Sequence, residues 1–141
     1  METKLDLQSA MQTSASGMRS QNTRMRIIAE NIANAESMAK DASGEPYRRR
    51  SVSFENELDR ATGTTTVKVG GIIKDQSEFA KRYEPNHPAA DAEGYVKAPN
   101  VNVLIETMDM RTAQRSYEAN LAAVKAAQTM MVRTIDLLNT R

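Results

Sequence analysis

His87 is the one imidazole of the chain, and Glu84, Asp91 and Glu93 stand close to it in sequence. An imidazole among carboxylates is the raw material of a metal site or of general acid–base chemistry. One ring with scattered carboxylates on a proline-rich turn falls short of a zinc ligand set, and there is no cysteine to complete one. The residues read instead as a structural turn, His87-Pro88, whose ring hydrogen-bonds to backbone. Ser-His-Asp and Cys-His chemistry fail on the same counts. Gly70-Gly71 is too short for a phosphate-binding loop, since no G-x-x-x-x-G-K pattern surrounds it, and reads as a turn or bulge. No catalytic residue, cofactor or metal is expected.

Arg48, Arg49 and Arg50 beside Tyr47 resemble a nucleic-acid patch only superficially, because Glu55, Glu57 and Asp59 follow at once. On a strand Arg49 would face away from Arg48 and Arg50. The expectation is a solvated or inter-subunit ion-pairing strand. Asn31 and Asn34 stand three apart, on one face of a helix end. They either cap the helix or hydrogen-bond a partner helix or neighbouring subunit and set register. In the register reading, Asn31→Ala and Asn34→Ala are expected to leave the monomer folded and impair assembly. Tyr117 and Asn120 read likewise, as an aromatic anchor and a register-setting amide.

Such residues need rigid elements to hold them, and three regions separate by composition. Residues 1–36 contain no proline and one glycine. There Leu7, Met11, Ser14, Met18, Gln21, Met25, Ile28, Ile32 and Ala35 alternate steps of four and three, the spacing of a heptad seam. Met at this seam reads as adaptable core. Residues 37–100 hold all four prolines and five of the six glycines. Within them Tyr47–Phe54 and Thr64–Ile73 are rich in β-formers and predict a small hairpin or a patch of two to four strands. The stretch around His87, Pro88, Tyr95, Pro99 and Asn100 reads as an ordered, extended connector. From residue 101 to 141 the four-three alternation returns at Val103, Thr107, Met110, Gln114, Tyr117, Leu121, Val124, Gln128, Met131, Ile135 and Leu138. Asn100 or Asn102 can cap this helix.

The predicted fold is therefore mainly α: long N- and C-terminal helices paired as an antiparallel coiled coil, with a small β-hairpin and extended middle segment. Composition adds what such a fold is for. The 141 residues carry 19 Lys and Arg against 18 Asp and Glu. That near-neutrality argues against a nucleic-acid binder working by bulk charge. Leu, Ile, Val and Phe make up about 17% of the chain, below the ~20% of a well-filled core. Helices of about 45 and 55 Å would overhang a compact globule of this length, some 35–40 Å across. A thin helical chain short of core is an assembly subunit, whose outer faces find other chains. No apolar run is long enough for a secretory signal or a membrane span, so direct membrane insertion is not expected.

Particular residues carry a resemblance. Ser14–Ser37, with Asn31-Ile32-Ala33-Asn34 at its end, resembles the N-terminal signature of bacterial flagellar axial proteins. Glu30 and Ala35-Glu36-Ser37 depart from the usual residues there. Glu45–Glu55 is similar to the segment that follows this signature in flagellar rod proteins. Tyr83–Val103, with His-Pro, Gly-Tyr-Val and Pro-Asn-Val, resembles a block of the basal-body proximal rod family, and Arg115–Met131 is similar to its Ser-Tyr-x-Ala-Asn helix.

The resemblance implies a structural subunit of the basal-body proximal rod, exported without a cleavable signal through the flagellar type III apparatus to a rod that spans the periplasm. It implies that the two helices pair along the central export channel and that the middle segment contacts neighbours. Partners would be further copies of the chain, other proximal and distal rod proteins, and membrane ring and export-gate proteins at the rod base. The assembly interface is expected at Leu7, Met11, Met18, Met25, Ile28, Asn31, Ile32, Asn34, Tyr47, His87, Pro88, Tyr95, Pro99, Asn100, Tyr117, Asn120, Leu121, Val124, Met131, Ile135 and Leu138. Two alternatives stand beside this reading: another axial paralogue of the rod or hook, and a self-contained cytoplasmic helical adaptor.

Overall fold

The computed structural model describes residues 2–41 and 43–139; the outermost residues of the predicted terminal segments, 1, 140 and 141, lie outside the described ones. Helix α1 runs Glu2–Ala33 and helix α2 Val103–Asn139. Between them come β1 (Arg50–Asp59), β2 (Thr64–Lys74), β3 (Ala80–Tyr83) and β4 (Tyr95–Ala98). The strands form two separate antiparallel pairs, β1–β2 and β3–β4. No described helix is long and apolar enough to cross a membrane.

The helices begin and end where local chemistry dictates. Asn102 caps α2, its Oδ1 accepting from the amides of Leu104 (3.0 Å) and Ile105 (3.3 Å), two donors that have no partner inside the helix. At the end of α1, the Asn34 amide and side-chain Nδ2 both donate to the Glu30 carbonyl, at 3.1 and 2.8 Å. The Ser37 hydroxyl then closes on Asn34 Oδ1 at 3.1 Å. Asn34 thus caps without a left-handed backbone, because no described non-glycine residue has positive φ.

The two helices pack against each other in opposite directions. Gly17 lies against Asn120, Arg24 pairs with Asp109, and Asn31 bonds Glu106. The predicted seam on α2 is kept at Met110, Tyr117, Leu121, Val124 and Met131, while its alternate positions shift by about one residue. The covered positions in steps of four and three are Glu106, Met110, Ala113, Tyr117, Asn120, Val124, Ala127 and Met131, whereas Val103, Thr107, Gln114 and Gln128 are exposed. Small residues at Ala113 and Ala127 and at Gly17 let the backbones approach. A Cβ built on Gly17 would stand 2.7 Å from Asn120 Nδ2.

The β1–β2 hairpin lies along α1 and is longer than the β-forming stretches suggested. Its ladder runs from Arg50–Lys74 to Asp59–Thr64, with Gly70 as the extra residue of a bulge beside Ser53 and Phe54. Helix α1 meets it through hydroxyls. Ser16 Oγ accepts from the Val67 amide (3.1 Å), Ser20 Oγ donates to the Val67 carbonyl (3.2 Å), and Thr13 Oγ1 donates to the Thr65 carbonyl (3.3 Å). Ser9 and Thr64 join hydroxyls at 2.9 Å. A row of Ser and Thr on one helix face thus occupies the outer edge of β2, which would otherwise offer unpaired backbone groups.

Two further short strands lie outside the β-forming stretches: β3 leads into the extended connector and β4 lies within it. Gly94 turns the chain back with φ +85°, and a Cβ there would stand 2.9 Å from the Tyr83 ring. Only glycine fits both conditions. The Tyr83 and Tyr95 rings then meet edge to face at 5.2 Å. Val96 packs with Ala39 and Ala89 in a small apolar cluster flanked by Met38 and Ala90.

Candidate functional site

Where α1 ends, β1 begins and α2 begins, five polar residues interlock. Asn31, on the last turn of α1, and Glu106, on the first turn of α2, are both 0% exposed. Burying a carboxylate is costly unless it is paired and hydrogen-bonded. Arg49 Nε donates to Glu106 Oε1 at 2.6 Å and Asn31 Nδ2 donates to Glu106 Oε2 at 2.9 Å. Both carboxylate oxygens are therefore engaged, and the N-terminal end of α2 favours the negative charge. Asn31 Oδ1 accepts from the Tyr47 hydroxyl (2.9 Å) and the Arg50 amide (3.0 Å), and Nδ2 donates a second time, to the Arg50 carbonyl (2.8 Å). The amide has filled all four of its hydrogen-bonding positions.

Arg49 spreads the joint further. Its guanidinium lies 3.6 Å from Asp75 and 3.6 Å from Asp109, and Asp109 also meets Arg24 at 3.6 Å. Its amide donates to Asn100 Oδ1 at 2.8 Å, and Asn100 Nδ2 reaches the Asp75 carbonyl and Ser77. Burial acts to lower the Arg49 pKa, but the Glu106 hydrogen bond and the charges of Glu106, Asp75 and Asp109 outweigh it and leave it raised. Burial raises the Tyr47 phenol. The Ser77 backbone amide, then its hydroxyl, hold Asp75 below the usual carboxylate range, and Arg49 adds to the effect.

The arginine run thus departs from its solvated or inter-subunit reading. Arg49 is tied to acids of this chain, Arg48 sits over the Phe79 ring at 4.2 Å and donates to the Asp75 carbonyl, and Arg50 approaches Glu30 at 3.7 Å. The acids that follow it in sequence are not its partners. Strand geometry sends those side chains elsewhere, and the fold brings distant acids in. Asn31 likewise finds every partner within the chain, which revises the expectation that its loss leaves the monomer fold intact. Asn34 stays at the helix end and Asn100 joins the Arg49 backbone.

The other predicted residues are dispersed. Ile28 and Pro99 are buried within the chain, while Leu7, Met11, Met18, Met25 and Ile32 line α1 half-covered. Tyr117, Asn120, Leu121, Val124 and Met131 are half-covered on α2, and Ile135 and Leu138 are exposed. His87 Nδ1 accepts from the Ala89 amide at 3.1 Å, the backbone bond expected of a structural turn. Pro88 and Tyr95 lie at the surface. Glu106 escaped the sequence reading, although an acid in a first helical turn beside a seam position was a usable signal. So was the hydroxyl row Ser9, Thr13, Ser16 and Ser20, spaced by four and three.

The joint fastens the end of α1, the start of β1 and the start of α2 to one another. The groove beside it, of about 270 Å³, is lined by apolar Ile27, Ile28, Val52 and Phe54, by Arg24, Arg50 and Asp109, and by Arg49 and Glu106 of the joint itself. Large apolar side chains instead stand exposed along α2: Val103, Leu104, Ile105 and Met108 near its start, and Met130, Val132, Ile135, Leu137 and Leu138 near its end.

The family model for the C-terminal part of flagellar basal body rod FlgEFG proteins matches residues 92–137. The chain is 48% identical to the flagellar basal-body rod protein FlgC of Agrobacterium fabrum, over 94% of this chain and 95% of that one. It is 38% identical to FlgC of Salmonella typhimurium, over 86% and 90%, and 35% identical to FlgC of Bacillus subtilis, over 91% and 95%. With a fold of two long paired helices and relatives of this identity along nearly its whole length, the chain belongs to the FlgC family of flagellar basal-body rod proteins.

Proposed function

We propose that the chain, as a structural subunit of the basal-body rod, works mechanically by helical self-association and carries torque through packed helix pairs. Its two terminal helices form the axial unit as an antiparallel coiled coil along the export channel. Residues 37–100 face neighbouring subunits. Other proximal and distal rod proteins adjoin it along the rod, and ring and export-gate proteins adjoin it at the base. It catalyses no reaction.

One observation carries this reading: the helix pair is locked at one end by a saturated polar joint while α2 keeps large apolar side chains exposed at both ends. Twisting a pair held this way requires many packed side chains to shift together. The unsatisfied apolar surface supplies the drive for association. Open, head-to-tail contacts give tubular growth, where a closed dimer would stop it.

Hydrogen exchange on the dilute chain and on its assembled form tests this. Within residues 1–36 and 101–141, exchange over the parts of the helices away from the joint is expected to be fast in the dilute chain and to slow on assembly, because little apolar area there offsets ~1–2 kcal/mol of backbone entropy per residue. Strong protection of both helices in the dilute monomer, unchanged at high concentration, would favour a self-contained helical adaptor instead.

A further inference from the structure

We propose that the outer edge of β1 pairs with the outer edge of β3 in a neighbouring copy of the same chain, extending the two small sheets into one across the contact. The proposal rests on the self-association reading above and adds a specific surface to it.

The backbone directions follow from bonds already described. Val67 and Thr65 turn their backbone groups toward α1, away from β1. Residues opposite each other in an antiparallel ladder both point inward or both outward. Asn56 lies opposite Val67 and Leu58 opposite Thr65, so both present N–H and C=O to the outer edge of β1, and Phe54 follows by the period of two. Residues 54–58 are all exposed. On the second sheet, the Glu84 amide donates to the Gly94 carbonyl at 2.9 Å. That phase turns the backbones of Tyr83 and Lys81 outward, and all four residues of β3 are exposed. One edge of the hairpin is closed by the hydroxyl row of α1, and these two are open.

Charge selects between the possible pairings. The β1 edge carries Glu55 and Glu57, of which Glu57 meets Lys68. The β3 edge carries Lys81 and Arg82, with Lys81 directly opposite Lys97 in the closer type of pair. Like charges so placed are unfavourable, and opposite charges across strands are favourable. Two β1 edges would set acid against acid, and two β3 edges base against base. An antiparallel β1–β3 pairing in phase with both edges sets Phe54 opposite Tyr83, Glu55 opposite Arg82, Asn56 opposite Lys81 and Glu57 opposite Ala80. Arg82 now meets Glu84 of its own chain at 3.2 Å in an exposed pair, a contact weak enough to exchange. Because the two edges differ, the contact is heterologous and continues from copy to copy.

The chain lacks cysteine, which makes a cross-link diagnostic. Full-length Asn56→Cys and Lys81→Cys proteins, both altered at exposed positions, are assembled by concentration under mild oxidation. The expected result is disulfide-linked dimer in the mixture and far less in either protein alone. Dimer forming equally in Asn56→Cys alone overturns the proposal. So does an assembly, seen by electron microscopy, in which no cross-link forms, and that result leaves the rod reading standing. A chain that never self-associates overturns both. As a second arm, Arg82→Glu is expected to raise the concentration needed for assembly roughly fivefold, and Glu55→Arg combined with it to restore assembly. Failure of that rescue, with far-ultraviolet circular dichroism unchanged, overturns the edge pairing.

Discussion

The side chain of Asn31 stands to Arg50 as a neighbouring strand would. It accepts from the Arg50 amide at 3.0 Å and donates to the Arg50 carbonyl at 2.8 Å. A helix end thereby fixes where β1 starts and, through Glu106, where α2 starts.

Asn31→Ala is expected to destabilise the isolated chain by about 3 kcal/mol, because it strands the Glu106 carboxylate, the Tyr47 hydroxyl and the Arg50 backbone in a buried setting. Asn31→Asp is expected to be worse at neutral pH, where it sets a second anion beside Glu106, and to recover in part as acid protonates one of them. Thermal unfolding of both variants at pH 7 and pH 5 checks the order and its change.

Arg49→Lys keeps the charge but loses the planar donor that reaches Glu106, Asp75 and Asp109 from one group. A loss of about 2 kcal/mol is expected in denaturant unfolding. The paired variant Arg49→Met with Glu106→Leu is expected to be less damaging than either single change, since it leaves no lone buried charge.

Ser16→Ala and Ser20→Ala each strip one partner from the Val67 backbone. Faster hydrogen exchange at the Val67 amide is expected in Ser16→Ala, with a cost of about 1 kcal/mol. Unchanged exchange there would remove the hydroxyl row as the guard of the β2 edge.

Gly17→Ala sets a helix gain of about 1 kcal/mol against the displacement of Asn120. The single variant is expected to be near neutral and the combination with Asn120→Ala more stable than Asn120→Ala alone, as read by a double-mutant cycle.

Acid is expected to weaken the fold at its turns before the helices melt. Asp75 is held low mainly by the Ser77 amide, and Asp59, at the hairpin turn, by the Ala61 amide and then Thr62 and Gln12. A depressed carboxylate pKa gives stability that is complete above the ordinary value near 4 and disappears as pH falls through the lower, folded value. Unfolding midpoints should hold from pH 7 to about 5 and drop below about 4, and Asp75→Asn should flatten that drop.

The long elements were legible because periodicity and proline placement report them directly. Both helices and the two stretches that became β1 and β2 follow from spacing alone. The α2 seam was legible at Met110, Tyr117, Val124 and Met131 but not at its alternate positions, where Ala113 and Ala127, and Gly17 on the facing helix, make contact through small size and not through bulk. The joint was half legible: Asn31, Tyr47, Arg49 and Asn100 stood out by type, while Glu106 and the other acids that pair with Arg49 come from segments whose meeting is set by tertiary structure. Strands β3 and β4 escaped because four residues beside prolines carry too short an alternation to register.

Among the described residues the buried positions join a few branched side chains, Ile27, Ile28 and Val96, to hydroxyl, amide, carboxylate and methyl groups at Ser16, Ser20, Asn31, Thr64, Glu106, Ala39, Ala89, Ala113 and Ala127. Exposing hydrocarbon raises heat capacity on unfolding, and exposing polar groups lowers it. For the lone subunit the two effects oppose each other, so its stability should change little across a wide range of temperature and never rise high. Calorimetric curvature would then come mainly from the seams between subunits, and heat capacity would report assembly more sharply than it reports the fold.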